Sequence, residues 1–146
     1  MTANVPGEML WDVVRRSNAY MVRRDGVTFS KERHNLRNEH SYKYSGLAQP
    51  KTVGVVEEKI PGSASDQKHV QLVNSVPKQL NHPKRVQQRT ALRKGHVQSH
   101  KAINRFTYAK HFRPDLRKDA LARYSQYAKS WQTRSRGVAN RRHNKQ

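Results

Sequence analysis

The sequence has no cysteine, few acidic residues and no long apolar run. Its 146 residues include 10 Asp and Glu against 30 Lys and Arg. The absence of cysteine excludes disulfides and thiol catalysis and fits a reducing compartment. No run approaches the ~18 apolar residues of a membrane-spanning helix, and the first residues show neither a myristoylation pattern nor a signal segment. These absences favour an intracellular protein without a membrane anchor.

The excess of basic residues points to an anionic partner. The formal net charge is +20, and such a charge repels itself in a free compact protein. Residues 1–77 carry 11 Lys and Arg with 8 Asp and Glu, whereas residues 78–146 carry 19 and 2. Nucleic acid is the usual partner, because neutralising phosphates releases counterions. An anionic membrane surface is the alternative, and it would usually be bound by a basic amphipathic helix with bulky apolar anchors.

The first half of the chain predicts short strands in one antiparallel sheet, covering about residues 10–75. We expect four to six strands. Asp25-Gly26 is a tight-turn dipeptide, since both residues tolerate positive φ. The predicted strands are Leu10–Arg15 paired as a hairpin with Tyr20–Arg23, then Val27–Phe29, Ser41–Tyr44, Lys51–Val56 and His69–Val73.

The second half predicts a basic arm, two helices and a tail. Residues 78–95 follow Pro77, contain Pro83 and have little apolar content, which favours an extended or irregular arm. Apolar residues at helical spacing predict helices over about residues 99–131. On the second helix the face from Leu116 to Trp131 is aromatic and should pack on the sheet. Residues 132–146 form a basic tail that we expect to be disordered without RNA.

The fold class is therefore α+β, a small antiparallel sheet followed by two C-terminal helices with an extended basic arm and tail. We expect residues 1–9 to be an N-terminal extension and residues 10–131 to be a single domain. The basic side chains of this body are the candidate RNA ligands, because guanidinium forks and ammonium groups bind phosphate oxygens. The alternative for each is ordinary solvated charge. The candidates are Lys43, Lys51, Lys84, Arg85, Arg93, Lys94, Lys101, Arg105, Lys110, Arg113, Arg117, Arg123, Arg141 and Arg142.

The eight histidines raise the possibility of catalysis or metal binding. His96 and His100 have the spacing of two ligands on one helix face. A third ligand is not evident, and residues 78–146 supply only two carboxylates, Asp115 and Asp119. We therefore expect no catalytic residue, no metal and no cofactor. An RNA-cleaving enzyme that uses a histidine pair as acid and base stays open as an alternative.

Two blocks of the sequence resemble a known family. The first runs from Leu10-Trp11 through Asn35-Leu36 and Ser41–Leu47 to Lys51–Val55, and the second is Phe112–Arg117. Their order and spacing resemble the eukaryote-specific ribosomal protein family numbered twenty-eight on the large subunit. The match is poor between Glu57 and Lys94. A nucleolar assembly factor of the large subunit shares a related domain, and the lack of a long acidic tail favours the ribosomal protein.

The resemblance implies a structural constituent of the cytosolic 60S subunit that binds and stabilises ribosomal RNA and supports translation without enzymatic activity. The expected partners are large-subunit ribosomal RNA, with expansion segments among its possible contacts, and neighbouring ribosomal proteins. No membrane and no homo-oligomer are expected. The implied location is the cytosolic ribosome after passage through the nucleolus during assembly. Arg113 and Arg117 are the first residues we expect to contact RNA, because the family motif and the basic face coincide there.

Overall fold

A computed structural model describes residues 5–59, 68–76 and 83–143 of the chain, with residues 83–84 and 132–143 described by backbone alone. Strands and helices are mixed, which confirms the α+β prediction. In chain order the elements are α1 Gly7–Val14, β1 Met21–Arg24, β2 Val27–Ser30, β3 Val53–Lys59, β4 Lys68–Ser75, α2 Pro83–Val86, β5 Gln87–Leu92, α3 His96–Asn104, a π-helical turn Arg105–Ala109, a 3-10 turn Pro114–Leu116 and α4 Arg117–His143.

The hairpin predicted around Asp25-Gly26 is confirmed. Strands β1 and β2 pair antiparallel, with Arg24 opposite Val27. Asp25 has φ +48° and Gly26 has φ +77°. Two successive positive φ values are the conformation of a two-residue turn whose twist matches that of the strands it joins. The dipeptide therefore sets the register of this two-stranded sheet.

The strand predicted over Leu10–Arg15 is wrong, because this segment lies within and just after helix α1. Strand β1 pairs with β2 alone, so the predicted partner of Leu10–Arg15 is not available to it. The helix instead lays the Trp11 ring on the imidazole of His40, with ring centroids 5.0 Å apart. A run of Val and Trp suits helix or strand locally, and the tertiary contact decides between them.

The strand predicted at Ser41–Tyr44 is also wrong, since the backbone turns there. The N–H groups of Tyr44 and Ser45 both donate to the carbonyl of Ser41, at 3.2 and 3.0 Å. The alternation of tyrosines has another cause. Tyr44 is buried in the core, whereas Tyr42 remains exposed. The phenol of Tyr44 donates to Asp119 Oδ2 at 2.8 Å and so ties this turn to helix α4.

A second sheet has the order β3-β4-β5, with both pairs antiparallel. The strands predicted at Lys51–Val56 and His69–Val73 are confirmed, although the single predicted sheet is two sheets. The irregular arm predicted over residues 78–95 is wrong in part, because it contains β5 and the short helix α2. The strand forms because Leu92, which lies opposite Val70 in the ladder, buries its side chain in the core. Five neighbouring polar or small residues stay exposed, which hides the strand from a hydrophobicity pattern.

The two predicted C-terminal helices are confirmed as α3 and α4. Leu116, Ala120 and Tyr124 are buried in the same core as the sheet residues Val53, Val55, Val70 and Leu72. Farther along α4, Trp131 donates its indole N–H to Glu57 Oε1 on β3 at 2.7 Å. The aromatic face therefore packs on the sheet as expected. The tail prediction is wrong for residues 132–143, whose backbone continues α4.

A glycine on β3 is required by the close approach of another segment. A Cβ at Gly54 would lie 3.0 Å from His34 Cα and 3.2 Å from the Arg33 carbonyl oxygen, both backbone atoms. We expect Gly54→Ala to lower the free energy of unfolding by about 1–3 kcal/mol through overpacking. Gly95→Ala is the matched control, since a Cβ there meets nothing within 4 Å. Urea unfolding measures both, and equal effects would contradict the packing argument.

Candidate nucleic-acid interface

The side chain of Arg113 joins three segments of the chain. Its Nε and Nη2 donate to the two carboxylate oxygens of Asp115 at 2.9 and 2.8 Å. Its Nη1 donates to the carbonyl of Lys51 at 2.9 Å, and Nη2 donates to the carbonyl of Lys43 at 3.0 Å. The side chain is 14% exposed. These four bonds, which we call the Arg113 clasp, use four of the five guanidinium N–H groups.

The clasp stabilises the ionised form of Asp115. Hydrogen bonds from Arg113 hold the pKa of the Asp115 carboxyl below its usual range, and the charge of Lys43 acts in the same direction. The carboxylate is therefore neutralised by the guanidinium beside it. A second carboxylate, that of Asp119, lies beside the clasp and accepts from the phenol of Tyr44 at 2.8 Å.

The pKa shift of Asp115 predicts a pH dependence of stability. A carboxyl with a depressed folded-state pKa contributes stability above its unfolded pKa, and this contribution is lost as pH falls through the folded value. We expect wild type to exceed Asp115→Asn in free energy of unfolding by a constant amount above about pH 5, with the difference shrinking below about pH 4. Urea unfolding at several pH values measures this. A difference that grows in acid would contradict the assignment.

Three lysines around the clasp hold their ammonium groups over aromatic rings. The distances from Nζ to the ring centroid are 5.2 Å for Lys43 over Tyr44, 6.0 Å for Lys51 over Phe112 and 5.8 Å for Lys110 over Phe106. All three lysines are exposed. The rings restrict the stems while the ammonium groups remain available to an anion.

These lysines belong to one surface. Phe106 and Phe112 pack with their centroids 5.0 Å apart, so Lys51 and Lys110 lie over adjacent rings. Lys43 and Lys51 are joined through the guanidinium of Arg113. We call Lys43, Lys51 and Lys110 the clasp surface. Three of the sequence-predicted RNA ligands, far apart in the chain, are thus brought together.

Other predicted ligands lie on the helices beside this surface. Arg117 is exposed, with Nε donating to Asn104 Oδ1 at 2.7 Å and Cζ lying 5.3 Å from the Tyr108 ring centroid. Lys101 on α3 and Arg105 in the π-helical turn are exposed. Their orientation toward RNA stays a prediction.

The remaining predicted ligands are more scattered. Arg85, Arg93 and Lys94 are exposed around strand β5. Arg123 is half-buried, and its Cζ lies 5.4 Å from the Tyr127 ring centroid. The side chains of Lys84, Arg141 and Arg142 lie outside the described residues.

Sequence reasoning did not single out Arg37, whose Cζ lies 5.8 Å from the centroid of Tyr44. Lys43 lies over the same ring, so Arg37 adds a cation beside the clasp surface. Its local sequence carries no signal for this position. Arg33 and Arg89 were also missed; both contact the carboxylate of Glu58, away from the clasp.

The histidine pair packs on an aromatic side chain. The rings of His96 and His100 have centroids 4.2 Å apart, and the centroid of Tyr124 lies 5.5 and 5.3 Å from them. Burial lowers the pKa of His100, and the neighbouring His96 lowers it further. Among the described residues, no group of three or more His, Cys, Asp or Glu could hold a metal ion. No helix in that part of the chain is long and apolar enough to cross a membrane.

The structure is thus an α+β body in which exposed lysines lie near one partly buried arginine. The model of the Ribosomal L28e protein family matches residues 9–130. The match covers most of the chain, which belongs to this family. The resemblance found in the sequence is thereby confirmed.

Two curated relatives have the same name, "Large ribosomal subunit protein eL28". The relative from Dictyostelium discoideum is 42% identical over 48 residues, which are 33% of this chain and 36% of the relative. The relative from Schizosaccharomyces pombe is 33% identical over 55 residues, which are 36% of this chain and 41% of the relative. The chain thus matches less than half of the length of these curated relatives.

Proposed function

We propose that this protein is a structural constituent of the cytosolic large (60S) ribosomal subunit that binds ribosomal RNA phosphates through the clasp surface. The observation that carries the proposal is the convergence of Lys43, Lys51 and Lys110 around the Arg113 clasp. Membership of the Ribosomal L28e family supports the assignment of this surface to the large ribosomal subunit. The protein acts as a scaffold in translation rather than as an enzyme.

The electrostatics of the clasp surface suit a polyphosphate. Arg113 and Asp115 neutralise each other, and the three lysines beside them are exposed. Each lysine that neutralises a phosphate releases condensed counterions, which drives association. In A-form RNA the deep major groove excludes side chains, so recognition is of backbone and shape. Spaced ammonium groups on a folded body can read the shape of an RNA backbone in this way.

The partners follow from the same reasoning. The primary partner is large-subunit ribosomal RNA, including eukaryotic expansion segments, with neighbouring ribosomal proteins around it. Residues 78–146 hold 19 Lys and Arg against 2 acids, and this half of the chain requires RNA to screen its charge. The protein reaches the cytosolic ribosome after passing through the nucleolus during assembly.

Sucrose-gradient sedimentation of tagged protein from cell extract, in low and in high salt, tests this function. We expect the protein to migrate with 60S, 80S and polysome fractions and to remain there in high salt. Recovery only in nucleolar precursor particles would replace the proposal with an assembly-factor function. Recovery only at the top of both gradients would overturn the ribosomal function altogether.

A further inference from the structure

We infer that Arg113 is a positioning residue, which sets Lys43 relative to Lys51 for phosphate binding and does not itself bind phosphate. The inference rests on the proposed function and deepens it, because it names the residue that organises the RNA-binding surface. Sequence reasoning gives Arg113 the opposite role, a first contact with RNA.

The hydrogen bonds of Arg113 leave it poorly suited to hold a phosphate. A bidentate arginine–phosphate contact needs two parallel N–H groups. The clasp uses four of the five guanidinium N–H groups and leaves only one for a phosphate. Turning the guanidinium toward RNA would leave the Lys43 and Lys51 carbonyls without this donor and would break the ion pair with Asp115. The new phosphate contact would have to exceed the stabilisation lost with these bonds, two of which are charge-assisted bonds to a carboxylate.

Apart from Arg113, the two lysines are held by different parts of the fold. The hydroxyl of Ser75 bonds to the backbone on both sides of Lys51. It donates to the carbonyl of Pro50 at 2.7 Å, and its Oγ accepts from the N–H of Thr52 at 2.7 Å. Strand β4, which carries Ser75, therefore holds Lys51 in place. The backbone of Lys43 lies in the turn that begins at Ser41, which the buried Tyr44 ties to helix α4 through Asp119. Arg113 joins this turn to the frame around Lys51 through the two carbonyls.

A planar guanidinium can hold the carbonyls of Lys43 and Lys51 together, and an ammonium group cannot. The guanidinium reaches both Asp115 oxygens and two carbonyls at once because its donors have fixed directions. A lysine at position 113 keeps the charge but has three donors on one nitrogen. Arg113→Lys therefore separates the two roles, since a phosphate ligand acting mainly through its charge would tolerate the change.

Asp115→Asn gives a second test, because two effects on affinity have opposite signs. The substitution raises the net charge by one, and electrostatic attraction alone would strengthen RNA binding. It also removes the charge that holds the Arg113 fork, so the clasp loosens. If Arg113 positions Lys43, the affinity for RNA falls although the protein becomes more positive.

Filter binding of the full chain to purified large-subunit ribosomal RNA, between about 50 and 200 mM salt, measures these effects. We expect Arg113→Lys and Arg113→Gln each to weaken binding about five- to tenfold and Asp115→Asn to weaken it about threefold. In a Lys43→Ala background Arg113→Lys should change the affinity less than about twofold, because the residue it positions is gone. Arg24→Lys is the control, because Arg24 is exposed on strand β1 and belongs to no predicted RNA contact, and its affinity should stay within about twofold of wild type. Circular dichroism and thermal unfolding confirm that each variant is folded.

The outcomes separate this inference from the function on which it rests. Wild-type protein that fails to bind ribosomal RNA would overturn the proposed function and the inference with it. Wild-type binding combined with an unchanged affinity of Arg113→Lys would overturn the inference alone. If Arg113→Lys does not fold, Asp115→Asn decides, since tighter binding by that variant would contradict the positioning role.

Discussion

Replacing Lys43, Lys51 and Lys110 together by glutamine is expected to weaken binding to large-subunit ribosomal RNA about 10- to 100-fold near physiological salt. Glutamine keeps most of the stem but removes the charge. Each lost phosphate contact should also lower the slope of log affinity against log salt by about 1, so the slope falls by about 2–3. Filter binding over a salt series measures both quantities. Their joint change indicates that three phosphate contacts have been removed.

A triple variant at the β1–β2 hairpin, which removes the same number of positive charges, controls for net charge. Arg16, Arg24 and Lys31 are exposed around the β1–β2 hairpin. Their joint replacement by glutamine lowers the net charge by the same amount, and we expect the affinity to change less than about threefold. Equal losses in the two triple variants would show that RNA responds to total charge alone, and the clasp surface would then have no special role.

The largest expected effect on stability comes from Ile103→Ala. Ile103 lies on α3 and is 0% exposed, within the core that also contains Leu116 and Val70. Truncation removes apolar contacts and leaves a cavity, which costs about 2–5 kcal/mol. Since a domain of this size is stabilised by only about 5–15 kcal/mol, we expect a large fall in the urea midpoint and poor incorporation into 60S particles.

Val97→Ala on the same helix is the control for Ile103→Ala. Val97 is 64% exposed, so its truncation should change the free energy of unfolding by less than about 0.5 kcal/mol. Similar losses for the two variants would mean that α3 does not contribute Ile103 to the core, and the packing of α3 and α4 against the sheet would need revision.

Much of the fold could be predicted because strong local signals agree with the tertiary structure. Asp25-Gly26 favours the turn of the first hairpin in any context. Pro114 and Asp115 suit a helix start, and the spacing from Leu116 to Trp131 places the aromatic side chains on one face. In these segments local preference and core packing point to the same structure.

Two elements could not be predicted because their structure depends on residues distant in the chain. Helix α1 has no buried residue, and the contact of Trp11 with His40 is visible only after folding. Strand β5 is a polar edge strand whose pairing with β4 depends on backbone hydrogen bonds and on Leu92. Strand β5 produces no apolar period that sequence reasoning can detect, and the short run of Val and Trp in α1 suits a helix or a strand.

The candidate site shows the same division. The basic residues could be selected from the sequence, because charge alone marks Lys43, Lys51 and Lys110 as possible phosphate ligands. Their proximity could not be predicted. It depends on hydrogen bonds from Arg113 to carbonyls 62 and 70 residues away and on the packing of Phe106 against Phe112. In the sequence Arg113 is one basic residue among many. Its positioning role can be inferred only from its hydrogen bonds in the folded protein.

Ultraviolet cross-linking within purified 60S subunits, followed by mass spectrometry of peptides that carry nucleotide adducts, tests the central claim most directly. We expect adducts on the peptides that contain Lys43, Lys51 and Lys110, because these side chains should lie against ribosomal RNA in the assembled particle. Adducts confined to the β1–β2 hairpin and α1, with none on the clasp surface, would contradict the account.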